Sequence, residues 1–154
     1  MIKNKAYKFR IYPNQKQMEL IEKTFGCTRF VFNYFLEQSI SSYKEEKKKM
    51  RYKDYASMLV ELKKEKEFLK EVDSISLQQS LRHLDAAYSN FFKNKETRFP
   101  KFKSKKNDKS YTTVTVNNNI KIEDKYIILP KLGKVKIKKH RLINQEEIIK
   151  SVVV

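Results

Sequence analysis

KAYKFRIYPNQKQ, residues 5–17, is the stretch from which the fold is read. Tyr7, Phe9 and Ile11 fall on one side of an extended chain, and Ala6, Lys8, Arg10 and Tyr12 fall on the other. That period of two is the pattern of a half-buried strand, here with an apolar face and a largely basic face. Pro13 ends it, because proline has no N–H to give a ladder. Asn14 then stands where a helix N-cap belongs, ahead of Met18, Ile21 and Phe25 at helical spacing. The chain opens as strand and switches to helix at residue 14.

Working outward, Gly26 is read as the end of the first helix. A second is expected from Cys27 through Phe30, Val31, Tyr34, Phe35 and Gln38, fading into Lys44–Lys49. Helix, glycine break, helix over residues 14–42 is the outline of a helix-turn-helix, and equally of any αα-hairpin. Asp54 is expected to cap a third helix with the stripe Tyr55, Met58, Leu59 and Leu62. Ser74 or Ser76 is expected to start a fourth, with Leu77, Leu81, Leu84, Tyr88 and Phe91 as core. After Phe92 the period changes back. Arg98–Lys106 reads as extended, since Pro100 disfavours helix at Phe99. Ser110–Val116 reads as a strand, Asn117–Asn119 as a turn, and Ile120–Ile122 with Tyr126–Leu129 as a hairpin. Gly133 opens Lys134–Lys138, with Val135 and Ile137 facing inward. The apolar run Ile148–Val154 reads as the first half of a strand, so the chain is expected to be truncated.

Charge follows the same division. Of a net +17, residues 1–13 carry four basic residues and no acid, and residues 93–154 carry seventeen basic against six acidic. Residues 14–92 hold fourteen basic and twelve acidic, so the helical middle is nearly neutral. A concentrated positive region points to a polyanion, usually nucleic acid. The pattern predicts an α+β fold: one basic β-module interrupted by a helical insert.

Composition narrows the class. Nineteen Phe and Tyr and 40% hydrophobic residues are enough to build a core, despite 34% charged residues. One cysteine excludes a disulfide framework or a multi-cysteine zinc site and fits a reducing compartment. No apolar run approaches the roughly 20 residues that cross a bilayer, and the N-terminus lacks a signal-peptide h-region. Metal-dependent phosphodiester cleavage needs converging carboxylates. The acids here, Glu19, Glu22, Glu37, Glu45 and Glu46 among them, are scattered among lysines and read as solvated helix partners. Cys27 reads as a buried, inert thiol. His83 and His140 are far apart in sequence, and two glycines make no phosphate-cradling loop. The expectation is therefore no catalytic residue, no metal site and no cofactor in this chain.

The binding signal is stronger. In residues 93–109 eight basic residues, including Arg98, Lys101, Lys103, Lys105 and Lys106, interleave with Phe99 and Phe102, and Tyr111 follows. Lysine and arginine neutralise phosphates while aromatic faces stack exposed bases. The competing reading makes the rings core anchors and the lysines merely solvated. A second stripe comprises Lys131, Lys134, Lys136, Lys138, Lys139 and Arg141, six basic residues in eleven. That exceeds what protection of a sheet edge requires, so phosphate contact is favoured. Lys8 and Arg10, on the basic face of the first strand, are also read as phosphate contacts.

KAYKFRIYPNQKQ (5–17), FGCTRFVFNYFL (25–36), SLQQSLRHLDAAYSNFFK (76–93), RFPKFKSKK (98–106), SYTTVTVNNNIKI (110–122) and LPKLGKVKIK (129–138) occur in an order and spacing that resembles the N-terminal part of TnpB, also called OrfB. This is a family of transposon-encoded proteins similar to RNA-guided DNA endonucleases. The resemblance implies an oligonucleotide-binding-like β-barrel, the split wedge, from residues 1–13 plus 94–147, with a helical recognition insert at 14–93. It also implies that residues 148–154 fall where a RuvC-like nuclease domain begins. Divalent metal and zinc are then expected only in domains downstream of this chain, which itself is expected not to be an enzyme. The implied partners are guide RNA and duplex DNA, in a prokaryotic cytoplasm at the nucleoid, with no membrane role and with oligomeric state unassigned. Tyr52, Gln78 and Asn117 match positions that read a short DNA motif beside the target, and Ser74 stands where some relatives carry a lysine. The rival reading is a stand-alone helix-turn-helix DNA-binding protein of transposition or regulation. Its recognition helix would expose Thr28, Arg29, Asn33, Glu37 and Gln38, only one of them basic, a poor surface for phosphates and a groove.

Overall fold

The computed structural model describes residues 1–154. Its order is β1 (Arg10–Tyr12), α1 (Gln15–Glu46), α2 (Tyr52–Glu65), a short 3-10 turn (Glu67–Glu71) and α3 (Ser74–Lys93). Then come β2 (Thr112–Val114), β3 (Lys121–Glu123), β4 (Tyr126–Leu129), β5 (Gly133–Lys138) and β6 (Ser151–Val153). The fold is α+β. Its strands form a four-stranded antiparallel sheet, β1-β5-β4-β3, and a separate two-stranded pair, β2-β6, rather than a closed barrel.

The sheet joins the two ends of the charge map. Ile11 lies opposite Ile137, and Ile127 opposite Val135. These apolar rows face the first half of α1, where Ile21 and Phe25 meet Tyr111, Ile120, Leu129 and Leu132 in one buried cluster. Asn14 caps α1 as expected: its side-chain oxygen accepts from the Gln17 N–H, and the Gln17 side chain accepts from the Asn14 N–H, both at 2.9 Å. The Gln17 amide then donates to the carbonyls of Leu132 (3.2 Å) and Lys134 (2.7 Å), fixing the start of α1 against the start of β5.

Gly26 does not break the helix: α1 runs unbroken for 32 residues. Glycine costs a helix interior about 1 kcal/mol relative to alanine. That is small beside what α1 buries on both sides of residue 26. Phe25 belongs to the sheet cluster, while Cys27, Val31, Phe32, Phe35 and Leu36 belong to a second cluster with α2 and α3. A buried leucine or phenylalanine side chain contributes roughly 1.5–3 kcal/mol, so the two cores together outweigh the glycine. α1 is the shared spine of both cores, and it stops at Lys47, which turns left-handed at φ 56°.

Three boundaries also shift. The cap of α2 is Arg51, and Asp54 instead accepts the Arg51 N–H at 2.9 Å from inside the first turn. The cap of α3 is Asp73 rather than Ser74 or Ser76. Its carboxylate is buried, accepting the Ile75 N–H at 3.0 Å and the Thr113 hydroxyl at 2.6 Å. One side chain thereby starts α3 and ties it to β2. The first strand is also shorter than its alternation, but Tyr7, Phe9 and Ile11 are half-buried and Lys8, Arg10 and Tyr12 exposed, as the pattern requires. The run at the C-terminus pairs with β2, Thr113 opposite Val152, and Ile149, Val152 and Val154 pack beside the sheet cluster.

Candidate nucleic-acid interface

Antiparallel register decides which exposed side chains stand together. Arg10 lies opposite Lys138; Tyr12 lies opposite Lys136, which lies opposite Tyr126; Lys134 lies opposite Ile128, which lies opposite Lys121. The outer face of the sheet therefore carries Arg10, Lys121, Lys134, Lys136 and Lys138 around two exposed tyrosine rings, Tyr12 and Tyr126. Beneath them Val135 is fully buried and Ile137 nearly so. The lysines cannot turn inward without losing that packing. Tyr12 was already placed on the basic face by alternation, but Tyr126 joins it only through cross-strand register.

Glu123 is the one acid on this face, 3.7 Å from Lys134, with both side chains more than half exposed. An exposed pair of this kind contributes little and leaves the lysine available. Lys131, left-handed at φ 69° in the β4–β5 connection, carries the charge toward the helices. There Lys63 is held below the ordinary lysine range by burial, with Asp73 opposing the shift and Lys131 and Lys70 adding to it.

The crossover behaves differently. Asn33 accepts the Lys103 N–H at 2.7 Å and donates to the Lys103 carbonyl at 2.9 Å, so α1 holds this segment as a strand would. Arg29 donates to the Asp108 carbonyl at 2.8 Å. The Lys103 ammonium lies 4.7 Å from the Phe32 ring centre, half-buried, whereas Arg98, Lys101, Lys105 and Lys106 are exposed. Phe102 is well exposed; Phe99 is partly exposed but packs edge-on against Tyr88 and Phe91. Tyr111 does not fit the stacking role. It is 5% exposed, packed on Phe25 in the sheet core, and backbone-paired with Val154.

These contacts bear on the rival recognition helix. Thr28 is buried, and Arg29 and Asn33 are engaged by residues 103–108, so that face of α1 is covered by the chain's own crossover. Tyr52 opens α2 with the Arg82 guanidinium 3.9 Å from its ring centre, and Gln78 is exposed one helical turn before Arg82 on α3. Tyr52, Arg82 and Gln78 thus form one surface, and Arg82 is the member that the sequence pattern did not single out. Asn117 is exposed and left-handed at φ 52° in the turn after β2, with no hydrogen bond or ring contact to the other two. Cys27 is buried and its thiol is raised by that burial. No three His, Cys, Asp or Glu side chains converge to hold a metal ion, and no helix is long and apolar enough to cross a membrane.

Comparison with known proteins agrees with the resemblance read from the sequence. Residues 1–48 match a family profile described as a helix-turn-helix domain, of the OrfB type. A Streptomyces pristinaespiralis protein assigned as an RNA-guided DNA endonuclease is 39% identical over 113 residues, 72% of this chain and 28% of its own length. InsQ of Escherichia coli, with the same assignment, is 34% identical over 142 residues, 90% of this chain and 34% of its own. The chain thus spans about a third or less of these two relatives. The virulence protein VsdF of Salmonella dublin is 38% identical over 111 residues, 66% of this chain and 93% of its own length. With the strand–helix switch, the motif order and these identities in agreement, the chain belongs to the TnpB/OrfB family, residues 1–48 matching the profile of its N-terminal helix-turn-helix region although α1 runs unbroken there.

Proposed function

We propose that residues 1–154 are the nucleic-acid-binding part of a TnpB-like RNA-guided DNA endonuclease, binding guide RNA and the duplex motif beside the target without cutting either. We assign the four-stranded sheet and β2 to the wedge, α1–α3 to the recognition insert, and β6, within residues 148–154, to the start of the downstream domain. The observation that carries the reading is the outer sheet face, where five basic side chains surround Tyr12 and Tyr126 over a sealed apolar layer. Ammonium and guanidinium groups take backbone phosphates, and ring faces take unstacked bases. Tyr52, Gln78 and Asn117 are assigned to the DNA motif: glutamine pairs bidentately with adenine, and a tyrosine ring meets a thymine methyl. Metal chemistry is assigned to the downstream domain of the full-length relatives, so magnesium or manganese with guide RNA and matching duplex should leave the DNA intact.

The test is a triple substitution. Replacing Lys134, Lys136 and Lys138 by glutamate should weaken structured-RNA binding strongly, while the same change at Lys47, Lys48 and Lys49, beyond the end of α1, should not. If about six phosphates are neutralised, log K should fall against log salt with a slope near −4 to −5. Equal losses from both triples would refute the mapping.

A further inference from the structure

A second cationic feature lies away from the sheet face, where α1, α3 and the crossover meet. A cavity of about 40 Å³ opens there, lined almost wholly by polar side chains, among them Arg29, His83, Lys103, Asp108, Ser110 and Thr112. One water needs about 10–15 Å³ of such space, so a hydrated oxyanion's contact oxygens have room. Three nitrogen-bearing side chains from three separate elements line one small space.

Their donors are not consumed by the protein. Arg29 places one N–H on the Asp108 carbonyl, and its remaining guanidinium donors make no hydrogen bond within the chain. Neither Arg29 nor Lys103 has a carboxylate within salt-bridge distance. Asp108, the acid in the lining, uses one carboxylate oxygen to accept the Ser104 N–H at 2.8 Å, which closes its own turn. The lining therefore holds two permanent cations against one carboxylate already engaged. Asn33 fixes the Lys103 backbone from both sides, and the Lys103 ammonium rests 4.7 Å from the Phe32 ring centre with no hydrogen bond of its own. An arginine fork tethered at one arm, with a lysine beside it, is the geometry that binds tetrahedral oxyanions.

We propose that this cavity seats a single phosphodiester of a bound nucleic-acid strand, with Arg29 and Lys103 as its cationic donors and His83 at its rim. The source of the phosphate rests on the nucleic-acid reading above; the oxyanion chemistry does not. His83 is a natural reporter. Packing around its ring and the neighbouring Lys103 charge both hold it below the ordinary histidine range. An anion in the cavity offsets the Lys103 charge and so favours the imidazolium. His140, the chain's other histidine, packs edge-on against Phe9 between Lys139 and Arg141 of the basic stripe and reports phosphate on that separate surface.

The experiment follows both imidazole signals of the full chain by NMR, titrating inorganic phosphate against chloride at equal ionic strength. A saturable change at His83 with an upward move of its titration midpoint is expected, reduced in the cavity variants while any response at His140 is unaltered. Arg29→Gln should weaken the phosphate response about tenfold or more, the loss of one charge-assisted contact. Lys103→Met, which leaves the Arg29–Asp108 tether in place, should act in the same direction. An unsaturable drift at His83, or unchanged affinity in both variants, would overturn the site. Single-stranded RNA and DNA hexanucleotides form the second arm: the strand that displaces phosphate at His83 identifies the source, and displacement by neither overturns the backbone assignment. Glutamates at Lys134, Lys136 and Lys138 should leave the His83 response intact. Failure of the cavity is thereby separable from failure of the sheet-face reading.

Discussion

Replacing Gly26 by alanine tests the continuous spine directly. Gly26 lies inside α1 with ordinary helical backbone, between Phe25 of the sheet core and Cys27 of the helical core. A methyl group built there meets only the Arg29 Nη2 atom, at 3.9 Å, an ordinary contact distance. Nothing has to move. Alanine then restricts the unfolded chain and favours the helix, which is worth about 0.5–1 kcal/mol. For a chain of this size that raises the thermal midpoint by roughly 2–4 °C per kcal/mol, so a gain of about 1–4 °C is expected. Urea titration followed by helical circular dichroism is the second measure, with the midpoint rising and the slope unchanged. If residue 26 instead turned left-handed between two helices, alanine would cost about 1–2 kcal/mol. A lower midpoint would therefore refute the unbroken helix, and with it the reading of α1 as the element that couples the two cores.

Asp73→Ala removes the cap of α3 and strands the buried Thr113 hydroxyl, so a loss of roughly 2–4 kcal/mol in urea unfolding is expected; a loss under half a kcal/mol would show that the β2–α3 tie is unimportant. Burial pushes the Tyr55 hydroxyl, bonded to Ser39 at 2.6 Å, up to about 12, and burial raises Tyr111 as well. Unfolded tyrosines ionise near pH 10, so this contribution to stability is complete below about pH 10 and drains away as pH rises through the folded values. A urea midpoint that stays flat from about pH 9 to 11.5 would contradict it. Gln78→Ala, in a full-length protein of this family scored across a randomised adjacent motif, should lose roughly 1–3 kcal/mol on the preferred motif with guide-RNA affinity unchanged; an unaltered motif preference would make Gln78 an ordinary surface residue.

Local pattern alone was enough for much of this chain. Alternation over Tyr7–Tyr12 set the buried and exposed sides of the first strand, Asn14 marked the start of α1, and Leu77, Leu81 and Leu84 are fully buried as their spacing required. The division into basic β-segments and a neutral helical middle was legible because charge and hydrophobic period are properties of neighbours in sequence. Three matters were not local. Gly26 reads as a break by propensity, yet packing from residues far along the chain holds the helix through it. Tyr111 reads as an available aromatic, yet the partners that bury it, Phe25 and the paired Val154, are distant in sequence. The adjacency of Tyr12, Lys136 and Tyr126, and the meeting of Arg29, His83 and Lys103 around one cavity, depend on strand register and on the docking of the crossover against α1. Sequence period determines which way a side chain points along its own element; only long-range pairing decides what stands next to it, because that choice is made by the shared burial of surfaces from separate elements.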